Sequence, residues 1–432
     1  MSKIAGWTNL DDRAVSYARA LAADAVQKVG NGHPGTAMSL APVAYALFQR
    51  HLVHDPSDPK WLGRDRFILS CGHSSLTLYI QLYLSGYGLE MNDLENFRTW
   101  GSLTPGHPEF GHTAGVEMTT GPLGQGVATA VGMAMAARFE RGLLDPDTAQ
   151  SQSVFDHRIW VICSDGDLQE GVSAEASSLA GTQNLGFLNV IYDDNRISIE
   201  GDTHNAFTED VSARYVAYGW HVIDVPAQAS GDVDLLALDA AMVEAKAELN
   251  RPTLIRLKSV IAWPAPKAQG TAASHGSALG LDEIKATKEA LGLNPDENFA
   301  MPPEVLAHAR QVKQRGAANR LNWQKSFETW KTAQPEKAKL LLRLQAKELP
   351  SNWEQCIPVF APDKDLATRA ASGEVINAIA DQLPEFWGGS ADLAGSNNTS
   401  IKGAQSFLPA TSSIHNANPY GRIIHFLSLI HI

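Results

Sequence analysis

The sequence predicts an α/β protein: a doubly wound, mostly parallel sheet, followed by the start of a second, similar α/β domain. Three observations carry this expectation. Ile159–Cys163 and Leu188–Tyr192 are short continuous apolar runs, the mark of parallel strands covered on both faces, and a small-residue helix, Val172–Ala180, stands between them. The same order recurs in the strand-like Gly219–Val225, the helical Val233–Leu249 and the strand-like Thr253–Val260. A further strand, Arg66–Ser70, runs into the helical Ser74–Leu84. Right-handed crossovers make such strands parallel neighbours.

Taken in order, the chain opens on an amphipathic helix, Asp11–Val29, with Val15, Ala18, Ala22, Ala25, Val26 and Val29 at helical spacing and Gly30-Asn31-Gly32 as its stop. His33-Pro34-Gly35 is a rigid turn before the helix Met38–Arg50. Gly72-His73 stands at the carboxyl end of the strand Arg66–Ser70, and Asp93–Phe97 is a short helix. Prolines keep Thr104–Glu109 out of helix and central strand, so His107 is displayed on a stiff loop. Thr119–Gly126 opens the helix Val127–Arg141, and its glycines let a ligand approach the backbone. It matches neither the P-loop pattern nor the dinucleotide fingerprint. Asp165-Gly166-Asp167 reads as a turn, and Gly181 as the end of the helix that follows. Trp263–Gly280 is a long Pro/Ala/Gly-rich loop holding Ser274-His275-Gly276, and loops of that length inside a domain are functional or mobile. Asp282–Leu291 and Pro303–Lys339 are helical with polar faces. Pro350–Pro362 reads as a linker before the helix Ala367–Gln382 and a new strand at Phe386–Leu393. The chain ends at Ile432, short of the roughly 100–150 residues a doubly wound domain needs.

Composition narrows the class. With 432 residues, 44% hydrophobic and 19% charged, there is room for two or three ordinary globular domains. The formal charge of −12 argues against a nucleic-acid binder and leaves any anionic ligand to be held by local positive groups. Three scattered cysteines, Cys71, Cys163 and Cys356, form no CxxC pair and read as cytosolic free thiols. No signal-peptide core, no apolar run of membrane-spanning length and no internal repeat is visible, and a cytoplasmic location is expected.

The chemistry concentrates at one sheet edge. Asp165 and Asn195 fall just past the carboxyl ends of the first two apolar strands, where open α/β sheets bind ligands. A carboxylate and a side-chain amide are hard oxygen ligands, suited to Mg²⁺ or Ca²⁺, with positions left for a backbone carbonyl, water and phosphate oxygens. The Gly166 region and the following helix N-terminus offer N–H groups to the same anion. Singly, an Asp-Gly turn and an Asp-Asp-Asn loop are ordinary turns; their spacing across one crossover unit makes them a metal-bridged diphosphate site.

Asp165-Gly166-x-x-x-Glu170-Gly171, followed after this interval by Asn195, resembles the thiamine-diphosphate motif, and the flanking text is similar to the transketolase family from about residue 8 to residue 426. The resemblance implies a thiamine-diphosphate-binding fold. It implies that His33, His73, His107 and His275 are active-site histidines, with His33, His107 and His275 meeting substrate and His73 and His275 the cofactor. Gly121 and Leu123 would meet the aminopyrimidine through their backbone. Asp165, Asn195 and the Ile197 carbonyl would hold the metal, Mg²⁺ or Ca²⁺. Glu170 would belong to the cofactor-activating network. Arg369 and Ser396 would contact substrate phosphate, and Asp392 the thiazolium side of the partner subunit's cofactor.

The implied activity is ping-pong transfer of a two-carbon ketol unit from a ketose phosphate to an aldose phosphate, in pentose-phosphate or Calvin-type sugar interconversion, by a homodimer. The other readings are a formaldehyde-using transketolase, 1-deoxyxylulose-5-phosphate synthase, or a non-catalytic cofactor-binding fragment; the motifs around His107 and Gly121 favour transketolase over the synthase. Some positions depart from the family pattern. Ser164 stands where Gly is usual, Asp167 where Cys is frequent, and Ala272 where a further His is frequent. After Gly421–Phe426 the family continues into a Gly-x-Arg-Glu-His segment whose Glu promotes cofactor activation, whereas this chain reads Leu427–Ile432. The expected layout is therefore a diphosphate domain at 1–349, a linker at 350–362, an incomplete pyrimidine domain at 363–426 and an atypical, foreign tail at 427–432, with the chain inactive on its own.

Overall fold

The computed structural model describes residues 4–363 and 365–427. The expected class is what it shows. Strands β1 (Arg66–Leu69), β2 (Ile159–Ser164), β3 (Leu188–Asp194), β4 (His221–Val225) and β5 (Thr253–Lys258) form a sheet in the order β1-β2-β3-β5-β4, and every pairing is parallel. β2 and β3 are buried at every position, as continuous apolar strands covered on both faces must be. Register decides what emerges at the carboxyl edge. Ser164 pairs with Asp193, and Asp194 with Lys258. Asn195 and Ser259 therefore leave neighbouring strands at the same level, with Asp165 leaving the next strand one position earlier, opposite Asp194.

The first helix runs Asn9–Val29, with a capping box between Thr8 and Asp11 and Gly30 closing it at φ +76°. Several expected elements differ, each for a local reason. Met38–Arg50 is not one helix: Pro34–Ser39 and Ala41–Ala46 are separate pieces followed by a π-helical turn at Leu47–His51, because Pro42 lacks the N–H a continuous helix needs. Asp165-Gly166-Asp167 is the first turn of a short helix, Asp165–Gln169, rather than an open turn. Gly181 does not end its helix, which runs Gly171–Thr182. It is there because a β-carbon would stand 1.8 Å from the Tyr218 carbonyl oxygen. Pro303–Lys339 resolves into Pro303–Ala309, Val312–Ala333 and a helix, Pro335–Gln345, that begins at its proline.

The chain forms two compact units: Met1–Ala134 with His157–Asn322, and Met135–Asp156 with Trp323–Ile432. The first holds the five-stranded sheet. The second holds strands β6 (Gly388–Ala391), β7 (Ser406–Phe407), β8 (Ala417–Asn418) and β9 (Ile423–Phe426), all parallel in the order β8-β7-β9-β6, over a small core of Ala380, Ile401 and Ile423. This division differs from the linear reading, which put 135–156 and 323–349 in the first domain. Aromatic contacts explain it: Phe139 stacks on Trp387 with centroids 4.4 Å apart, Arg138 lies 4.0 Å over Phe407, and Phe155 packs edge-on against Trp330. The 350–362 segment carries a 3₁₀ turn, Trp353–Cys356. The expected tail lies, beyond Leu427, outside the described residues. Among the described residues no helix is long and apolar enough to cross a membrane.

Gly181→Ala is expected to destabilise the fold by about 3 kcal/mol through overpacking. Gly171→Ala, whose β-carbon meets nothing within 4 Å, is the control and should be neutral. Urea unfolding of both variants checks this.

Candidate functional site

Glycines set the spacing of the loops above the sheet edge of the first unit. A β-carbon on Gly35 would lie 2.4 Å from the Ser274 carbonyl oxygen, and one on Gly276 would lie 3.4 Å from His33 Nε2. The helix start after His33 and the one-turn helix Ala273–Gly276 carrying His275 are thus pressed together. On the other side, a β-carbon on Gly72 would meet Thr120 Oγ1 at 2.6 Å and the Gly121 nitrogen at 2.8 Å, which brings the 3₁₀ turn of His73 against the Gly121 loop. Gly121 itself faces the His107 ring at 3.5 Å from where its β-carbon would be.

The outcome is a histidine cluster. The His33 and His73 ring centroids are 5.0 Å apart, those of His73 and His275 5.2 Å with the rings stacked, and those of His33 and His275 5.7 Å. His107 acts electrostatically on both His33 and His73. Burial holds every member below the ordinary imidazole value, His33 at about 4 and His73 at about 3, with neighbouring rings adding to it for these two; His107 and His275 are also lowered, by burial first. All four are neutral at pH 7, each with one ring N–H and one acceptor nitrogen. His33 Nδ1, His73 Nε2, His275 Nδ1 and Thr120 Oγ1 are buried with no partner within the protein. Buried polar atoms are ordinarily satisfied. Several left open in one cluster fit a polar ligand seated among them.

Below the histidines lies the acidic end. Asp165, the first residue of its helix, is buried; its carboxylate accepts from the Tyr192 hydroxyl at 2.5 Å and from the Arg196 amide at 3.1 Å. Burial pushes it up to about 6. Asn195 Oδ1 accepts from the Ile197 amide at 2.9 Å, while its Nδ2 donates to Asp193 at 2.7 Å. Ile197 starts a two-residue antiparallel ribbon with Gly201–Asp202. Among the described residues no three His, Cys, Asp or Glu side chains are grouped to hold a metal on their own. The residues present still fit a hard divalent cation: one carboxylate, one amide oxygen and one backbone carbonyl, with the remaining ligands to come from water and a bound phosphate. A buried carboxylate with a raised pKa and only neutral donors is stabilised by such a charge.

Gly166 approaches Leu123, whose Cδ1 would be 2.8 Å from its β-carbon, so the Gly121–Leu123 loop and the Asp165 helix abut. Glu170 is exposed, caps the helix Gly171–Thr182 without a side-chain bond, and would meet a β-carbon on Gly124 at 2.8 Å. Arg369, Asp392 and Ser396 belong to the second unit. Arg369 is exposed on the first turn of the helix Thr368–Gln382. Asp392 is exposed at φ +53°, its amide donating to the Phe426 carbonyl at 3.0 Å. Ser396 is exposed in the short helix Ala394–Asn397. Sequence reasoning missed Tyr192 and Asp193, visible only as parts of an apolar run and an acidic loop. It also missed Arg98, which lowers His33 and His107 electrostatically and had no signal in the sequence.

A family model described as the thiamine diphosphate binding domain of transketolase matches residues 10–350, and one described as the transketolase pyrimidine binding domain matches residues 364–427. A transketolase of Mycobacterium leprae is 58% identical over 423 residues, covering 97% of this chain and 60% of that protein. One of Geobacillus stearothermophilus is 48% identical over 402 residues, covering 93% and 59%. A Pichia stipitis transketolase structure, in complex with sedoheptulose-7-phosphate, superposes with a TM-score of 0.91 at 43% identity, covering 97% of this chain and 61% of that one. The chain spans about 60% of the length of the relatives it matches.

Each histidine of the cluster has a folded pKa below its unfolded value. The unfolded chain therefore takes up protons first as pH falls below about 6.5, and the stability due to the neutral rings is lost on the way down to about 4. The urea midpoint should fall steeply between pH 7 and pH 5, with about 1 kcal/mol lost through His73 alone by pH 5.5. His73→Gln should flatten that slope.

Proposed function

The chain belongs to the transketolase family, and from that premise we propose that it carries the cofactor-binding half of an enzyme moving a two-carbon ketol unit between sugar phosphates. The observation that carries this reading is the set of unpartnered buried nitrogens, His33 Nδ1, His73 Nε2 and His275 Nδ1, in the same unit as Asp165 and Asn195, with His275 hydrogen-bonded to the backbone of Ile197. Thiamine diphosphate, held by His73, Gly121, Leu123 and Gly166, supplies the electron sink that no side chain offers when a C–C bond beside a carbonyl breaks. Asp165, Asn195 and the Ile197 carbonyl would hold a divalent cation, Mg²⁺ or Ca²⁺, which would supply positive charge for a diphosphate.

The protein's own residues do the rest. Neutral His33, His107 and His275 donate to carbonyl and hydroxyl oxygens of a polyhydroxylated substrate, and their free nitrogens accept hydroxyl protons near neutral pH. By the family resemblance Arg369 would offer its planar fork to a terminal phosphate, and Ser396 would serve the same group. Glu170 and Asp392 take their roles from the family resemblance: Glu170 in cofactor activation, Asp392 beside the cofactor of a partner subunit. A cytoplasmic homodimer acting on ketose donors and aldose acceptors completes the reading.

Calorimetric titration of thiamine diphosphate into the chain tests it. Binding is expected with Mg²⁺ present, lost in EDTA, and weakened at least about tenfold by Asp165→Ala. Equal binding with and without metal overturns the proposed site.

A further inference from the structure

Asp193 sits one strand position before the acidic edge and is completely buried. One carboxylate oxygen accepts from the Ser259 hydroxyl at 2.5 Å, and the other from Asn195 Nδ2 at 2.7 Å. The sheet register dictates both contacts. Asp194 pairs with Lys258, so Ser259 and Asn195 leave the ends of β5 and β3 together, flanking Asp193 from two strands. Among the described residues Asp193 makes no ion pair, in contrast to Asp194 beside it, which is paired to Arg256 at 2.7 Å and to Lys258.

A side-chain amide has two unlike ends, and only its surroundings decide which end faces a cation. At Asn195 both ends are specified. With the Ser259 hydroxyl donating to one oxygen of Asp193, the other oxygen accepts from the Asn195 NH₂. The Ile197 amide N–H, 2.9 Å from Oδ1, requires the oxygen on the opposite side. That oxygen keeps a second lone pair. A flip of the amide would set oxygen against carboxylate and N–H against N–H, and would turn NH₂ towards the cation.

We propose that Asp193 is the positioning residue of the metal site: it locks the Asn195 amide with its oxygen as the metal ligand, and Ser259 in turn pins Asp193. This rests on the reading of Asp165, Asn195 and Ile197 as the cation site. It adds an outer shell to the ligands, and outer-shell partners of metal ligands govern affinity as well as orientation.

The test uses Mn²⁺ as the probe, measured by electron paramagnetic resonance and calorimetry on the whole chain with saturating thiamine diphosphate. Asp193→Asn, which replaces an acceptor by a second amide, is expected to weaken Mn²⁺ binding about 10- to 100-fold and to broaden the bound Mn²⁺ spectrum, with the ligand-free melting temperature close to wild type. Ser259→Ala should give a smaller loss in the same direction. The exchange Asp193→Asn with Asn195→Asp puts a carboxylate at the ligand position and an amide behind it, and is expected to recover Mn²⁺ affinity to within about tenfold. Wild-type affinity and spectrum in Asp193→Asn overturn this inference while leaving the cation site standing. Should Asp193→Asn not fold, a folded exchange variant that binds no Mn²⁺ overturns it equally. Absence of metal-dependent binding in the wild-type chain overturns both the inference and the cation site beneath it.

Discussion

Much of the site depends on one buried carboxylate, that of Asp167. Its Oδ1 accepts from the Ser70 hydroxyl at 2.6 Å and the Gly124 amide at 2.9 Å; its Oδ2 accepts from the Ser164 amide at 2.9 Å and the Ser164 hydroxyl at 3.2 Å. Ser70 in turn accepts from the Val127 amide at 3.1 Å. Four donors on one carboxylate offset much of the cost of burying it, although burial still holds its pKa up. The bonds join the end of β1, the end of β2 and the glycine loop that opens the helix Gln125–Leu144. Those segments carry His73, Asp165 and Gly121–Leu123. The Gly121–Leu123 loop and the Asp165 helix are thus fixed to each other through Asp167 as well as through the approach of Leu123 to Gly166.

The same edge shows how charge is distributed where the global field is unfavourable. The chain carries −12, and Asp165, Asp193 and Asp194 crowd the ends of two strands. Arg256 and Lys258 both go to Asp194, and Arg196 approaches it at 3.8 Å. Asp165 and Asp193 receive only hydroxyl and amide donors, and burial pushes them up to about 6 and about 7. The cationic side chains pair with Asp194 and leave Asp165 and Asp193, among the described residues, without a salt bridge. A divalent cation is attracted to such a deficit, and a phosphate is then attracted to the cation.

How much of this could be read from the sequence depends on whether the signal was local. β2 and β3 were legible because a strand buried on both faces must be continuously apolar. Their parallel pairing followed from crossover handedness, and the positions of Asp165 and Asn195 followed from the pairing. The break at Leu40 in the second helical stretch was written in Pro42 but overridden in the reading by the apolar run around it. Gly181 was misread because its reason, the Tyr218 carbonyl, is distant in sequence. The histidines were visible one by one, each on its glycine-bounded loop, but periodicity and spacing could not bring them together. Only the family resemblance did so, and it gave no hint of Asp193 or Arg98.

Close approach explains why those loops are written as they are. Gly35, Gly72, Gly124, Gly166 and Gly276 each stand where a β-carbon would come within 2.4 to 3.4 Å of a neighbouring segment. Four of these five need no left-handed backbone, so their reason is proximity and not flexibility; Gly124, at φ +79°, has both reasons. Imidazole rings 5–6 Å apart demand backbones closer than side-chain-bearing residues allow. The glycines supply that closeness, the low dielectric it creates keeps the rings neutral, and neutrality is what gives each ring both a donor and an acceptor. The glycine pattern and the depressed histidines are therefore one constraint seen at two levels, packing and protonation.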